Sequence, residues 1–275
     1  MPSSFDLQLP SGTVRAQRFG AEHGGLVLCV HGLSANSRSF DFLAESLAAP
    51  GRSIVAIDLR GRGLSAITGV GTYGWGNHAK DILDAATALG ASSFDYVGHS
   101  MGAYIGMELA RRAPERVRRL ALIDAIGVPE AGAMPSIFAA VQRLGAVHAS
   151  ADAYIASLRK LGTIDPWSDY WETHYRYDLV TSGDGVSPRT DKTAVMEDIA
   201  YATMQQPRSM WAGLTMATLL LRATRPLGGG FIVSEDDRDG FVAKVARARA
   251  EDVDANHYGI MTHETTAKHL RSFLA

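Results

Sequence analysis

The feature of the sequence that most constrains the fold is a repeated alternation between short apolar runs and amphipathic segments. Residues 26–30, 53–57 and 117–123 are apolar runs of the kind found in strands buried on both faces. The segments between them include residues 75–89, whose apolar side chains recur at helical spacing. This alternation predicts βαβ units and a mostly parallel sheet flanked by helices.

The same reading places eight strands along the chain, at 5–9, 13–19, 26–30, 53–57, 94–97, 117–123, 230–234 and 251–254. Late helices are expected over about 241–250 and 263–274. The alternation stops after Asp124, and residues 129–206 contain helical pieces rich in aromatic residues but no clear strand. We therefore predict an α/β core formed by residues 1–128 and 207–275, with a helical cap at 129–206 inserted after the sixth strand.

The pentapeptide Gly98-His99-Ser100-Met101-Gly102 lies between a strand and a helix of this pattern and fits the motif G-x-S-x-G. In that setting the chain turns sharply at the end of the strand and holds a serine up at the start of the helix. Glycines are needed because side chains there would collide with the neighbouring strand and helix. The motif therefore predicts that Ser100 is a nucleophile and that the backbone N–H of Met101 points toward an oxyanion.

A serine hydroxyl needs a base to take its proton and a third group to orient that base. Among the nine histidines, His257 is the one that lies in a loop between the predicted last strand and last helix. We predict that His257 is the base and that His99 points away from the exposed side of the turn. Asp124 and Asp237 are both carboxylates that could orient His257, since each lies near the end of a predicted strand.

Taken together, these pieces resemble the α/β-hydrolase family over nearly the whole chain apart from the cap. The resemblance rests on five motifs and on the chain order serine, acid, histidine: His31-Gly32-Leu33, residues 58–65 (D-x-R-G-x-G-x-S), 98–102, 234–237 and Asn256-His257. The resemblance implies an oxyanion hole formed by the N–H groups of Leu33 and Met101. It also favours Asp237 as the acid, although some relatives use the position of Asp124. In the turn at 58–65, Asp58 and Arg60 are expected to brace the loop through local hydrogen bonds.

The implied chemistry is acyl transfer through an acyl-enzyme on Ser100, with a small carboxylic ester or lactone as the first choice of substrate. Relatives with the same residues cleave carbon–carbon bonds, amides or thioesters, and others act as small-molecule receptors with little turnover. No residue pattern indicates a metal site, and no glycine fingerprint indicates a nucleotide, so no cofactor is expected.

Charge and composition limit the choice of partners. The formal net charge is −2, which gives no electrostatic reason to bind nucleic acid or an anionic membrane. The single cysteine, Cys29, lies in an apolar run and is expected to be a buried core thiol. No signal-like N-terminus or membrane-length apolar run is present in the sequence, so a cytoplasmic protein is expected, and a homodimer is compatible with it.

Overall fold

The computed structural model describes residues 2–275. Ten strands are present, β1 to β10 in chain order: Ser3–Leu9, Gly12–Gly20, Gly25–Val30, Arg52–Ile57, Phe94–His99, Val117–Ile123, Leu179–Ser182, Gly185–Pro188, Ala217–Ala223 and Ala248–Val253. Ten α-helices, α1 to α10, are Asp41–Leu47, Trp75–Ala88, Met101–Arg112, Met134–Gln142, Ala151–Leu161, Asp169–Tyr177, Lys192–Thr203, Pro207–Met210, Glu235–Lys244 and Glu264–Phe273.

Eight of the strands form one sheet in the order β1-β2-β4-β3-β5-β6-β9-β10. β2 is antiparallel to both of its neighbours, and every other pair in this sheet is parallel. The predicted eight-stranded, mostly parallel sheet is therefore confirmed. Parallel strands end at a common edge, so the residues that follow β3, β5, β6 and β10 come together there.

The sheet is buried on both faces, which explains why its central strands are continuous apolar runs. In β3, Leu28 and Val30 pack on the side covered by α2 and α3, and Val27 and Cys29 pack on the side covered by α1 and α10. Cys29 is fully buried, as expected, and burial raises the pKa of its thiol well above the ordinary value.

The end of the chain differs from the sequence-based prediction in one important respect. The strand predicted at 230–234 is wrong, because the strand that extends the sheet beyond β6 is β9, Ala217–Ala223. Eleven residues then precede helix α9, which begins at Glu235 rather than near 241. The helix starts early because the Ser234 hydroxyl accepts a hydrogen bond from the N–H of Asp237 at 3.1 Å and caps it.

Residues 129–206 carry α4 to α7, together with the antiparallel hairpin formed by β7 and β8. The hairpin was not predicted, because its strands have four residues each and the Gly183-Asp184-Gly185 turn was interpreted as an interruption between helices. Within residues 2–275, none of the helices is both long and apolar enough to cross a bilayer.

Candidate active site

Ser100 occupies a strained turn between β5 and α3. Its backbone φ is +54°, in the left-handed region that L residues rarely adopt. The two glycines of the motif make this turn possible: a Cβ on Gly98 would lie 2.3 Å from the carbonyl oxygen of Gly102, and one on Gly102 would lie 2.0 Å from that of Val30. The serine is therefore held at the carboxyl edge of the sheet by contacts that no larger residue would permit.

His257 follows β10 and is paired with Asp124 at the end of β6. The Nδ1–H of His257 donates to Oδ2 of Asp124 at 2.8 Å, in a buried environment. The other carboxylate oxygen, Oδ1, accepts from the N–H of Ala223 at 3.0 Å, which fixes the carboxylate against the end of β9. Asp124 also has a positive φ, +50°, so both the serine and the carboxylate are on strained turns at strand ends.

The structure corrects the prediction that Asp237 orients His257. Asp237 lies in the first turn of α9, where its Oδ1 accepts from Nε of Arg208 at 2.6 Å. Its Oδ2 is buried without a hydrogen-bond partner, packed against Gly127. Asp237 was expected to follow a strand at 230–234, which the structure does not contain. It lies instead in helix α9, well after the end of β9, whereas Asp124 directly follows β6. The alternative that was left open, Asp124, is the carboxylate that contacts the imidazole.

Two backbone N–H groups predicted for an oxyanion hole are free of acceptors among the described residues. Neither Leu33 nor Met101 donates a backbone or side-chain hydrogen bond within residues 2–275. Met101 begins α3, where N–H groups have no partner inside the helix. The loop that carries Leu33 approaches Ser100 closely, because a Cβ on Gly32 would be 2.9 Å from the Cβ of Ser100.

His31, at the end of β3, holds the loop that carries Leu33 in place. His31 is buried, and its Nε2 accepts from the N–H of Leu59 at 3.0 Å, while its Nδ1–H donates to the Gly32 carbonyl at 2.8 Å. Burial lowers the pKa of His31 to about 3, so it is neutral. These contacts fix the ends of β3 and β4 beside the serine.

The turn after β4 is held by hydrogen bonds, as expected. Some of the partner residues lie in helices distant in the chain rather than within the turn. Asp58 accepts from the N–H of Leu64 at 2.9 Å within the turn, and from Tyr177 of α6 at 2.7 Å. Arg60 donates through Nε to Asp81 of α2 at 2.6 Å. Neither residue lines a cavity beside Ser100 and His257.

Two cavities meet at Ser100 and His257, and both are lined by Leu33 as well. The larger is about 250 Å³, and its walls are mostly apolar, including Met101 and Ile199. The smaller is about 60 Å³ and has several polar side chains in its walls. Residues of the segment 129–206 line both, so that segment forms part of the walls beside Ser100. Within residues 2–275, no group of three or more His, Cys, Asp or Glu side chains is arranged to hold a metal ion.

The fold agrees with a comparison against known families. The family model for the alpha/beta hydrolase fold matches residues 25–223. The chain belongs to the α/β-hydrolase family. The predicted family and fold are thereby confirmed.

Known proteins similar to this chain match it over only part of their own length. It is 36% identical over 126 residues to a serine hydrolase-like protein of Danio rerio, covering 46% of this chain and 38% of that protein. It is 36% identical over 107 residues to N-formylmaleamate deformylase of Pseudomonas putida, covering 39% of each chain. The chain therefore spans about two fifths of the length of these two curated relatives.

A solved structure extends the likeness to the whole length of the chain. The crystal structure of E-2-(acetamidomethylene)succinate hydrolase superposes with a TM-score of 0.88, at 23% identity, over 100% of this chain and 99% of that one. At this identity the likeness establishes the fold.

Sequence reasoning missed how close His99 lies to His257. It was expected to point away, but its ring is 4.5 Å from that of His257, and its Nε2–H donates to the His257 carbonyl at 2.9 Å. It also lines the smaller cavity with Arg143 and His174. The position of His99 beside the serine in the motif was the one available signal. Arg143 and His174 had none, because their approach depends on how 129–206 folds.

Proposed function

We propose that this hydrolase cleaves a small carboxylic ester or lactone by forming an acyl-enzyme on Ser100. The observation that carries the proposal is the pairing of His257 with the buried Asp124 beside a serine held in a strained turn. These are the three groups that nucleophilic acyl transfer requires: a nucleophile, its base and a group that orients the base.

In the proposed reaction, Oγ of Ser100 attacks the substrate carbonyl carbon while Nε2 of His257 takes the hydroxyl proton. The negative charge of Asp124 stabilises the imidazolium that forms and keeps the neutral ring protonated on Nδ1. When the carbonyl re-forms, the bond to the alcohol breaks and Nε2 returns the proton to the leaving oxygen. A water molecule, deprotonated by the same nitrogen, then hydrolyses the acyl-enzyme and releases the acid.

The charge that develops on the carbonyl oxygen needs donors in place before the reaction. The unpartnered N–H groups of Leu33 and Met101 are suited to this role. Loss of one such donor typically costs about 3 kcal/mol of transition-state stabilisation. We further propose that 129–206 acts as a cap, because its residues Ile137 and Ile199 wall the cavities beside Ser100.

Amide hydrolysis is the second candidate, supported by the names of two similar proteins. One acts as an N-formylmaleamate deformylase and the other as an E-2-(acetamidomethylene)succinate hydrolase. Both names contain an N-acyl group, and the same three side chains can cleave an amide if His257 protonates the leaving nitrogen.

The test is turnover of p-nitrophenyl acetate and butyrate, combined with labelling by a fluorophosphonate. Wild-type protein should hydrolyse the esters and be labelled, and Ser100→Ala should lose both. Ser92→Ala, which replaces an exposed serine, is the matched control and should retain both. Continued labelling of Ser100→Ala would exclude Ser100 as the nucleophile. Ligand binding by wild-type protein with almost no turnover would favour a receptor.

A further inference from the structure

The smaller cavity beside Ser100 contains an arginine with no carboxylate partner. Arg143 follows helix α4 and is among the residues that line this cavity of about 60 Å³. No Asp or Glu oxygen of residues 2–275 lies within 4 Å of its guanidinium, and no Asp or Glu lines the cavity. The guanidinium lies over the ring of Tyr175, 5.1 Å from its centre. The aromatic face partly compensates the charge but does not neutralise it.

The walls of this cavity also contain unusually many polar atoms without partners. Nε of Arg143, Nε1 of Trp171 and the Nδ1 atoms of His99 and His174 are all buried and make no hydrogen bond. Buried polar side-chain atoms are nearly always hydrogen-bonded, so four exceptions around one small cavity indicate that something else occupies it. The volume corresponds to about two water molecules, which is also the size of one small polar group.

The charge of the walls indicates the nature of that group. Burial, followed by the positive charge of Arg143, lowers the pKa of His174 to about 3, and burial lowers the pKa of His99 well below its usual value. Both imidazoles are therefore neutral. Arg143 brings positive charge to a cavity whose walls contain no carboxylate, and it interacts behind the wall with Asp178 and with the hydroxyls of Tyr154 and Tyr175. The indole N–H of Trp171 can only donate. A group that accepts hydrogen bonds and carries negative charge fits these walls best.

We propose that the smaller cavity binds a carboxylate carried by the substrate, with Arg143 as its counter-ion. This inference rests on the proposed function of Ser100, since Ser100 is part of the cavity wall. The planar guanidinium matches a carboxylate and can donate two parallel hydrogen bonds to it. The apolar remainder of the substrate then lies in the cavity of about 250 Å³ on the other side of Ser100.

The experiment compares two esters that differ only in charge. Monomethyl succinate carries a carboxylate where methyl 4-methylpentanoate carries an isopropyl group of similar shape, and hydrolysis of both is followed by pH-stat titration. We expect wild-type protein to have the higher kcat/KM for the charged ester. Arg143→Met should reduce the charged-to-neutral ratio by about 10- to 100-fold, the usual effect of losing a charged hydrogen bond. Arg143→Gln should give a similar loss and serves if the methionine variant does not fold.

The matched control is Arg111→Met, at the distal end of α3, where the arginine side chain is 54% exposed. It should leave the ratio unchanged. A ratio that is unaffected by both Arg143 variants, or a wild-type preference for the neutral ester, would overturn the proposal.

A binding measurement separates failure of this proposal from failure of the proposed function. Calorimetric titration of Ser100→Ala with monomethyl succinate should show binding, and the double variant with Arg143→Met should bind at least about tenfold more weakly. Binding that depends on Arg143 without any turnover by wild-type protein would retain the carboxylate site and reject ester hydrolysis. Turnover of neutral esters with binding independent of Arg143 would reject the carboxylate site alone.

Discussion

Replacing Asp124 with asparagine tests the proposed chemistry most directly. Asparagine has the same shape, and like aspartate it tolerates the positive φ at this position. Its carbonyl oxygen can still accept from the N–H of Ala223. Its amide nitrogen, however, then faces Nδ1 of His257 and donates to it. The ring is forced into the tautomer that is protonated on Nε2, which cannot accept the proton of Ser100.

The expected loss follows from that tautomer change. In serine hydrolases of the same logic, such a substitution lowers kcat by about 10⁴-fold while the fold is retained. Asp237→Asn is the matched control, because Asp237 is bonded to Arg208 and not to His257. An ion pair with an arginine side chain that is 61% exposed contributes about 1 kcal/mol at most. This control should therefore keep kcat within about tenfold of wild type.

The assay is steady-state hydrolysis of p-nitrophenyl butyrate, with melting temperatures measured for both variants. A larger loss of kcat in Asp237→Asn than in Asp124→Asn, with both proteins folded, would refute the assignment. It would mean that the carboxylate that touches the imidazole in this structure is not the one used during turnover.

Three further predictions concern the base, the turn and the buried ion pair. His257→Ala should lose as much activity as Ser100→Ala, since the two act as one unit, and the double variant should lose little more. Gly102→Ala should lower the free energy of unfolding in urea by about 2 kcal/mol or more, because the added Cβ overlaps a backbone carbonyl. Asp198→Asn should destabilise by about 3–5 kcal/mol, because it leaves the guanidinium that pairs with this buried carboxylate without a counter-charge. Burial alone would raise the pKa of Asp198, but the hydrogen bond from His78 and the positive charge of Arg62 lower it to about 2. The stabilisation that the Asp198 carboxylate provides is therefore complete above the unfolded pKa near 4 and is lost as the pH falls toward 2.

The two stability predictions have matched control variants, and all three predictions have an outcome that would contradict them. Gly25→Ala has room, with the nearest atom 3.8 Å from the new Cβ, and a loss equal to that of Gly102→Ala would argue against the steric explanation. Asp84→Asn removes a carboxylate paired with an exposed lysine and should cost little. If Asp198→Asn and wild type lost stability in parallel between about pH 4 and pH 2, Asp198 would not be the group responsible. Substantial activity in His257→Ala alone would remove His257 from the proposed mechanism.

Much of the core was predictable because its signals are local. The apolar runs of β3, β4 and β6 and the glycines around Ser100 lie in continuous stretches, and each stretch fixes its own conformation. The strand at 217–223 carries a similar apolar run. The sequence analysis nevertheless predicts the strand at 230–234, a shorter apolar run that directly precedes the acidic residues 235–237.

The chain alone determined the sheet, the position of the serine turn and the choice of His257, since these depend on periodicity and on steric requirements within a few residues. Only the tertiary structure decided between Asp124 and Asp237, because that choice depends on which strand end lies beside the imidazole. The same is true of Arg143, which is 43 positions from Ser100 in the sequence and reaches the site only through the packing of 129–206. Contacts between distant segments are set by how whole elements pack together, and no local pattern in the sequence encodes them.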